Sequence, residues 1–197
     1  MILQGKAKYP VREAIIHTAA TPGSWADGKS VNEMVAEIDR WHKDRGWKGI
    51  GYHRVIAPDG SIGVGRSLYE IGAHVKERNR GTIGICLIPA KGAINRATTM
   101  GRFDDWYTPA QKAALQSYLS ELAELMELKW VTGHNAYAPK LCPGFWVEKE
   151  PWLAAANFRP VAAPPADHVP AAPPKQPSGF WASLVAALAG IFGKDKA

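Results

Sequence analysis

The sequence is poor in cysteine, with two residues among 197. Two cysteines are too few for the disulfide frameworks that stabilise small secreted domains. Cys86 lies in the apolar run 83–88, which is typical of a buried strand, so we do not expect it to pair with Cys142. We therefore expect Cys142 to carry a free thiol, which fits synthesis in a reducing cytosol.

Long hydrophobic runs are also missing. Residues 1–10 lack the apolar stretch of a secretory signal, so we expect synthesis in the cytoplasm without a cleavable signal peptide. The apolar stretch 180–192 is thirteen residues long, whereas a helix that spans a bilayer needs about 20. The His-Glu-x-x-His motif of metalloproteases does not occur either, so that chemistry has no support.

The composition is that of a folded domain with a small positive charge. Hydrophobic residues make up 46% of the chain and include eight tryptophans, which is ample for a core. Residues 1–159 hold 21 Lys and Arg against 16 Asp and Glu. Such an excess is compatible with nucleic acid, anionic lipid or acidic polymers, and it chooses among none of them.

Two long helices are predicted from capping boxes at their first turns. Ser30 with Glu33 and Thr108 with Gln111 have the required spacing, and apolar residues recur at helical intervals after each pair. The first helix should end near Gly46, with His42 half-exposed beside its apolar stripe. Short strands are predicted at residues 13–18, 50–56, 61–65, 82–88 and 129–132. This alternation predicts an α/β fold with a mixed central β-sheet flanked by helices.

The composition changes after Phe158, because residues 160–177 contain seven prolines. We predict one domain in residues 1–159, a Pro/Ala-rich linker in 160–179 and a short apolar C-terminal helix in 180–197. Residues 180–192 have aromatic side chains at both ends and lysines beyond, which favours contact with a membrane surface. Docking of this helix onto the domain or onto a partner is the alternative.

One loop, residues 133–145, concentrates reactive side chains between glycines and prolines. It contains His134, Lys140 and Cys142, and its Gly and Pro residues indicate turns rather than a helix or long strand. Imidazole and thiolate are ligands that suit a zinc ion, and His17, after an apolar run, is the best candidate for a third ligand. The spacing matches no general zinc-finger pattern, and taken alone it favours ordinary packing roles for these residues.

A series of short motifs in the segment from Ala14 to Trp146 favours the zinc site over ordinary packing roles. The chain resembles the zinc-dependent N-acetylmuramoyl-L-alanine amidases of the phage T7 lysozyme and peptidoglycan-recognition-protein type. The motifs that carry the resemblance occur in family order, and they are Ile15-Ile16-His17-Thr18, Gly51-Tyr52-His53, Gly72-Ala73-His74, Asn79 with Thr82-Ile83-Gly84-Ile85, Thr108-Pro109-Ala110-Gln111, Gly133-His134 and Ala138-Pro139-Lys140-Leu141-Cys142-Pro143-Gly144. Each motif is weak alone, and together they cover about two-thirds of the chain.

The resemblance implies roles for the candidate residues. His17, His134 and Cys142 would hold Zn²⁺, and Tyr52 and Lys140 would act in catalysis. Substrate contacts are expected from four more residues, namely His74, Arg78, Asn79 and Trp25. The alternatives are a packing role for Tyr52 and Trp25 and a solvated basic loop at residues 72–80. One departure is Ala136, because many relatives carry an acidic residue at that position.

The implied function is hydrolysis of the amide bond between N-acetylmuramic acid and L-alanine in bacterial peptidoglycan, as in a phage-type endolysin. Such an enzyme would act on the cell wall or in the periplasm after release from the cytoplasm, with peptidoglycan as its partner and no nucleic acid. The alternatives are a non-catalytic peptidoglycan-binding module and a regulator that binds a protein partner.

Overall fold

The computed structural model describes residues 1–92, 94 and 97–154. Two short strands, β1 (Leu3–Gln4) and β2 (Tyr9–Pro10), pair antiparallel with each other. Five further strands form the main sheet: β3 (Glu13–Thr18), β4 (Arg54–Ile56), β5 (Ile62–Val64), β6 (Thr82–Leu87) and β7 (Trp130–Gly133). Their order is β5-β4-β6-β3-β7, and only the β4–β5 pair is antiparallel. The sheet is therefore mixed, as the sequence predicted.

The described helices are α1 (Val31–Asp44), α2 (Phe103–Trp106), α3 (Pro109–Leu125) and α4 (Pro151–Ala154). Both predicted capping boxes are confirmed. The Glu33 N–H donates to Ser30 Oγ at 3.3 Å, and the Ser30 N–H donates back to the Glu33 carboxylate at 2.8 Å. Thr108 and Gln111 repeat the arrangement at the start of α3. Because each pair satisfies two backbone donors of the first turn, both helices begin where predicted.

The two long helices cover opposite faces of the sheet. Helix α3 packs Leu115, Leu119 and Leu122 against one face, together with the alternate residues of β3 and β6 that point to that side. Helix α1 packs Met34 and Ile38 against the other face, where Cys86 lies fully buried as predicted. Residues of odd number in β3 therefore share a face with α1, and His17 is one of them.

The predicted strand 50–56 is shorter than expected, since β4 begins at Arg54. Two backbone donors ahead of it bond to α1 instead: the Ile50 N–H donates to the Asp39 carboxylate at 2.7 Å, and the Gly51 N–H donates to His42 Nδ1 at 3.0 Å. The prediction that His42 is half-exposed was wrong, because this bond holds its ring in the interior.

The C-terminal predictions fall beyond the part of the chain that the structure describes. This applies to the linker 160–179, to the helix 180–197 with its membrane-surface contact, and to the last residues of the predicted domain. Among the described residues, no helix has both the length and the apolar character needed to cross a membrane.

Candidate metal centre

Three predicted ligand residues meet where the parallel strands β3 and β7 end. His17 is the fifth residue of β3, His134 follows β7 directly, and Cys142 comes from the loop beyond. Their candidate ligand atoms all lie within 4.8 Å of one another. His17 Nδ1 and Cys142 Sγ are 3.8 Å apart. The structure thus brings together one sulfur and two nitrogen donors in a candidate metal site.

The loop that carries Cys142 is tied to the domain by its backbone. The Asn135 N–H donates to the carbonyl oxygen of Cys142 at 2.8 Å, and the Tyr107 hydroxyl donates to that of Pro143 at 2.7 Å. The Thr18 N–H, at the end of β3, donates to Cys142 Sγ at 3.3 Å. These bonds fix the sulfur next to His17 rather than leaving it on a free loop.

The other ring nitrogen of His17 faces a second histidine. His17 Nε2 lies 3.0 Å from His74 Nδ1, and the two rings meet edge to face with centroids 5.0 Å apart. His17 is fully buried and His74 nearly so. His17 therefore has one nitrogen for the metal site and one for a hydrogen bond within the protein.

Burial sets the protonation of this centre. It lowers the pKa of His17 and of His74 well below the usual value, and nearby histidines act in the same direction. Burial, with Lys140 nearby, lowers the pKa of His134 to about 4. Burial also raises the pKa of the Cys142 thiol to about 11, against the opposing effects of the Thr18 N–H and Lys140. The imidazoles are therefore neutral at pH 7, which is the form that binds metals.

Tyr52 and Lys140 both lie beside these residues. The ring of Tyr52 is 5.2 Å from that of His17, centroid to centroid, and burial raises the pKa of its hydroxyl well above the usual value. Lys140 is exposed, and its charge lowers the pKa of His17, His134 and Cys142. The centre therefore has a neutral phenol and a cation within its immediate surroundings.

A groove of about 600 Å³ leads to the centre. Its walls are the loop segments 73–79 and 134–140, with Trp47 at one side. His74 and Asn79 both line the groove, and their predicted contacts with substrate stay predictions. Asn79 also holds its own loop, because its Oδ1 accepts the N–H groups of His74 and Val75 at 2.7 and 2.9 Å.

Arg78 and Trp25 have different surroundings. The Arg78 guanidinium is buried 3.5 Å from the Glu13 carboxylate and stacks on the ring of Tyr137. Trp25 packs against Trp41, 5.2 Å between ring centroids, among residues that contact α1. Arg78 and Trp25 therefore both pack against other residues of the domain. Their predicted contacts with substrate stay predictions.

Two residues of the groove were not predicted. Trp47 is 42% exposed although it is large and apolar, and the ring of Tyr137 lines the groove while it contacts the buried Arg78 guanidinium. Trp47 follows Gly46 in a polar segment, where a tryptophan is not expected to belong to the core. Its position in the sequence could therefore have indicated an exposed, functional side chain. Tyr137 also donates a hydrogen bond to Glu13. Glu13 of β3 thus supplies an acidic partner to the loop near His134. Position 136 in that loop cannot do so, because it is an alanine.

Comparison with known proteins gives the family. Residues 7–145 match the family model described as N-acetylmuramoyl-L-alanine amidase. The endolysin of Enterobacteria phage T3 is 36% identical over 151 residues, which cover 75% of this chain and 92% of that protein. The endolysin of Escherichia phage T7 is similar to the same extent. The solved structure of the amidase LysC from Clostridium intestinale URNW, 23% identical, shares the fold with a TM-score of 0.60 over 81% of this chain and 95% of that one.

The matched segment 7–145 contains the whole main sheet, the groove and all three candidate ligands. A match of this extent identifies the chain as a member of the N-acetylmuramoyl-L-alanine amidase family, related to the phage endolysins.

Proposed function

We propose that the protein is a zinc-dependent endolysin that cleaves the amide bond between the lactyl group of N-acetylmuramic acid and the L-alanine of the stem peptide. The observation that carries the proposal is the convergence of His17, His134 and Cys142, because His134 also lines the groove and so places the candidate metal site beside it. Retention of all three ligands argues against a module that only binds peptidoglycan.

The donor set fits Zn²⁺. With Zn–S and Zn–N distances of about 2.3 and 2.0 Å, tetrahedral geometry places sulfur and nitrogen about 3.5 Å apart. The His17 Nδ1–Cys142 Sγ distance of 3.8 Å is within a few tenths of that value. Three protein ligands are typical of catalytic rather than structural zinc sites. Zn²⁺ bound here would supply Lewis acidity, which activates water and polarises an amide carbonyl.

The residues around the ligands suit the remaining steps of an amide hydrolysis. Addition of water to the lactyl carbonyl forms a C–O bond, places negative charge on the carbonyl oxygen and releases one proton. Breaking the C–N bond consumes one proton at the departing L-alanine nitrogen, so the proton that water releases replaces the one that the amine takes up. Tyr52 stays protonated at neutral pH because its pKa is raised, so it serves as a hydrogen-bond donor. Lys140 is a cation that stabilises the charge on the oxygen and has a proton to give to the amine.

Peptidoglycan is the proposed substrate and partner, held in the groove between segments 73–79 and 134–140. His74 and Asn79, which line the groove, are proposed substrate contacts. Arg78 and Trp25 are also proposed as substrate contacts, and they lie outside the groove lining. We further propose that the protein is made in the cytoplasm and acts on the cell wall after release.

Mass spectrometry of products released from purified sacculi tests the proposal. We expect new free L-alanine amino termini, which disappear when a chelator is added and return with Zn²⁺. Reducing sugar ends in place of amino termini would identify a glycosidase instead. Binding to sacculi without any release would contradict the enzymatic assignment.

A further inference from the structure

A chain of hydrogen bonds runs from His17 away from the candidate metal site. His17 Nε2 lies 3.0 Å from His74 Nδ1, and His74 Nε2 lies 3.3 Å from Thr82 Oγ1. Thr82 Oγ1 lies 2.9 Å from the carbonyl oxygen of Arg78. All three side chains are buried.

The direction of each bond follows from the last one. A carbonyl oxygen only accepts, so the Thr82 hydroxyl donates to Arg78, and its oxygen is left to accept from His74 Nε2–H. A neutral His74 with its proton on Nε2 presents a lone pair at Nδ1, which accepts from His17 Nε2–H. His17 then has its lone pair at Nδ1, the nitrogen that faces Cys142. The chain therefore selects the His17 tautomer that can bind a metal through Nδ1.

The position of His74 is built into the fold. A Cβ added at Gly84, on β6, would lie 2.6 Å from the His74 ring, and one added at Gly72 would lie 2.5 Å from it. Neither position has room for a side chain while the ring stays in place. Asn79 fixes the backbone of His74 from the other side through its bond to the His74 N–H. Strand, loop and side chain thus hold the ring against His17.

We propose that His74 is a positioning residue, which together with Thr82 holds the His17 ring with Nδ1 free for the metal ion. This inference rests on the zinc site proposed above. It gives His74 a role that does not require contact with substrate, in contrast to the contact expected from the sequence.

The affinity for Zn²⁺ tests this role without measuring activity. Zn²⁺ is titrated into the metal-free full-length protein in competition with a chromophoric chelator. His74→Leu removes the acceptor for His17, and we expect a loss of affinity of about 10- to 100-fold, as for other partners of metal-binding histidines. His74→Gln keeps an acceptor and a donor and should recover part of that loss. If His74→Leu does not fold, Thr82→Val and Thr82→Ser decide. Valine keeps the shape of threonine without its hydroxyl, whereas serine keeps the hydroxyl without the methyl group.

The expected pattern is weaker binding by His74→Leu and Thr82→Val, with Thr82→Ser close to the wild type. Long-range ¹H–¹⁵N NMR of the zinc-loaded wild type should show both His17 and His74 protonated at Nε2. Zn²⁺ affinities of the folded variants equal to that of the wild type, or a proton on Nδ1 of His17, would overturn the inference. A wild-type chain that binds no Zn²⁺ would overturn the proposed metal site itself, and that result is separate because it precedes any variant.

Discussion

His53 is a fully buried histidine whose protonation the fold opposes. Its Nδ1 accepts the Gly84 N–H at 3.0 Å, and its Nε2 lies 3.0 Å from the carbonyl oxygen of Glu70. Both nitrogens are thus satisfied by the neutral ring with its proton on Nε2, and a second proton at Nδ1 would face another donor. Burial lowers the pKa of His53 to about 4, with smaller effects of Arg66 and Arg54 in the same direction and an opposing one from the Glu70 carbonyl.

This shift makes stability depend on pH with a definite sign. The unfolded chain has the ordinary histidine pKa of about 6.5. Between pH 6.5 and 4 the unfolded state binds more protons than the folded state, so the free energy of unfolding falls as the pH is lowered through that window. For one such group the loss between pH 7 and pH 5 is about 2 kcal/mol.

Urea unfolding of the metal-free protein at pH 7 and pH 5 measures this loss. His53→Gln keeps an acceptor and a donor but does not titrate, so the wild type should lose about 2 kcal/mol more than the variant between these pH values. The other buried histidines are present in both proteins and cancel in the comparison. Because desolvation is the main cause, added salt should leave the difference unchanged. An equal loss in both proteins would refute the assignment to His53.

Three further predictions concern the site, the core and the domain boundary. Cys142→Ser should lower the rate of L-alanine release from sacculi at least about 100-fold, since it removes a proposed zinc ligand. Cys86→Ala is the control and should stay active. Comparable activity in both variants would exclude the ligand role of Cys142. Gln111→Ala should lower the free energy of urea unfolding by about 2–4 kcal/mol, because Gln111 is fully buried and donates to the carbonyl oxygens of Ile56 in β4 and of Ile88 directly after β6. Gln116→Ala removes one hydrogen bond of a partly buried residue, and it should lower the free energy of unfolding by less than about 1 kcal/mol. Similar losses for the two glutamines would contradict the larger contribution assigned to the buried Gln111. A chain ending at residue 159 should release L-alanine at the full-length rate, and a large loss would place part of the catalytic unit beyond it.

Local patterns predicted the two long helices, α1 and α3, well. The capping boxes of α1 and α3 depend on residues three positions apart, so the sequence contains both partners of each bond. Strands β3 and β6 were also predicted within a residue, because their apolar runs are bounded by polar residues and proline. The family motifs added the ligand set, whose three members the structure brings together.

Partners that are distant in sequence could not be predicted in this way. The pairing of Glu13 with Arg78 joins a strand to a loop 65 positions later, and no local pattern marks either residue as buried. Residues 50–53 had the composition of a strand, but the Ile50 and Gly51 N–H groups bond to Asp39 and His42 of α1. The bond between His17 and His74 likewise depends on the space left by Gly84, which only the packed sheet reveals.

The candidate ligands His17 and Cys142 are 125 positions apart, at nearly opposite ends of the described chain. An ion held between them works as a removable cross-link that spans the domain, because unfolding any large part of it separates the two residues. A ligand that binds only the folded state stabilises it by about 4 kcal/mol when its free concentration is about a thousand times Kd. On the metal site proposed above, metal supply would therefore set the stability of the whole domain as well as its chemistry, and a nascent chain would have no site until residue 142 has been made.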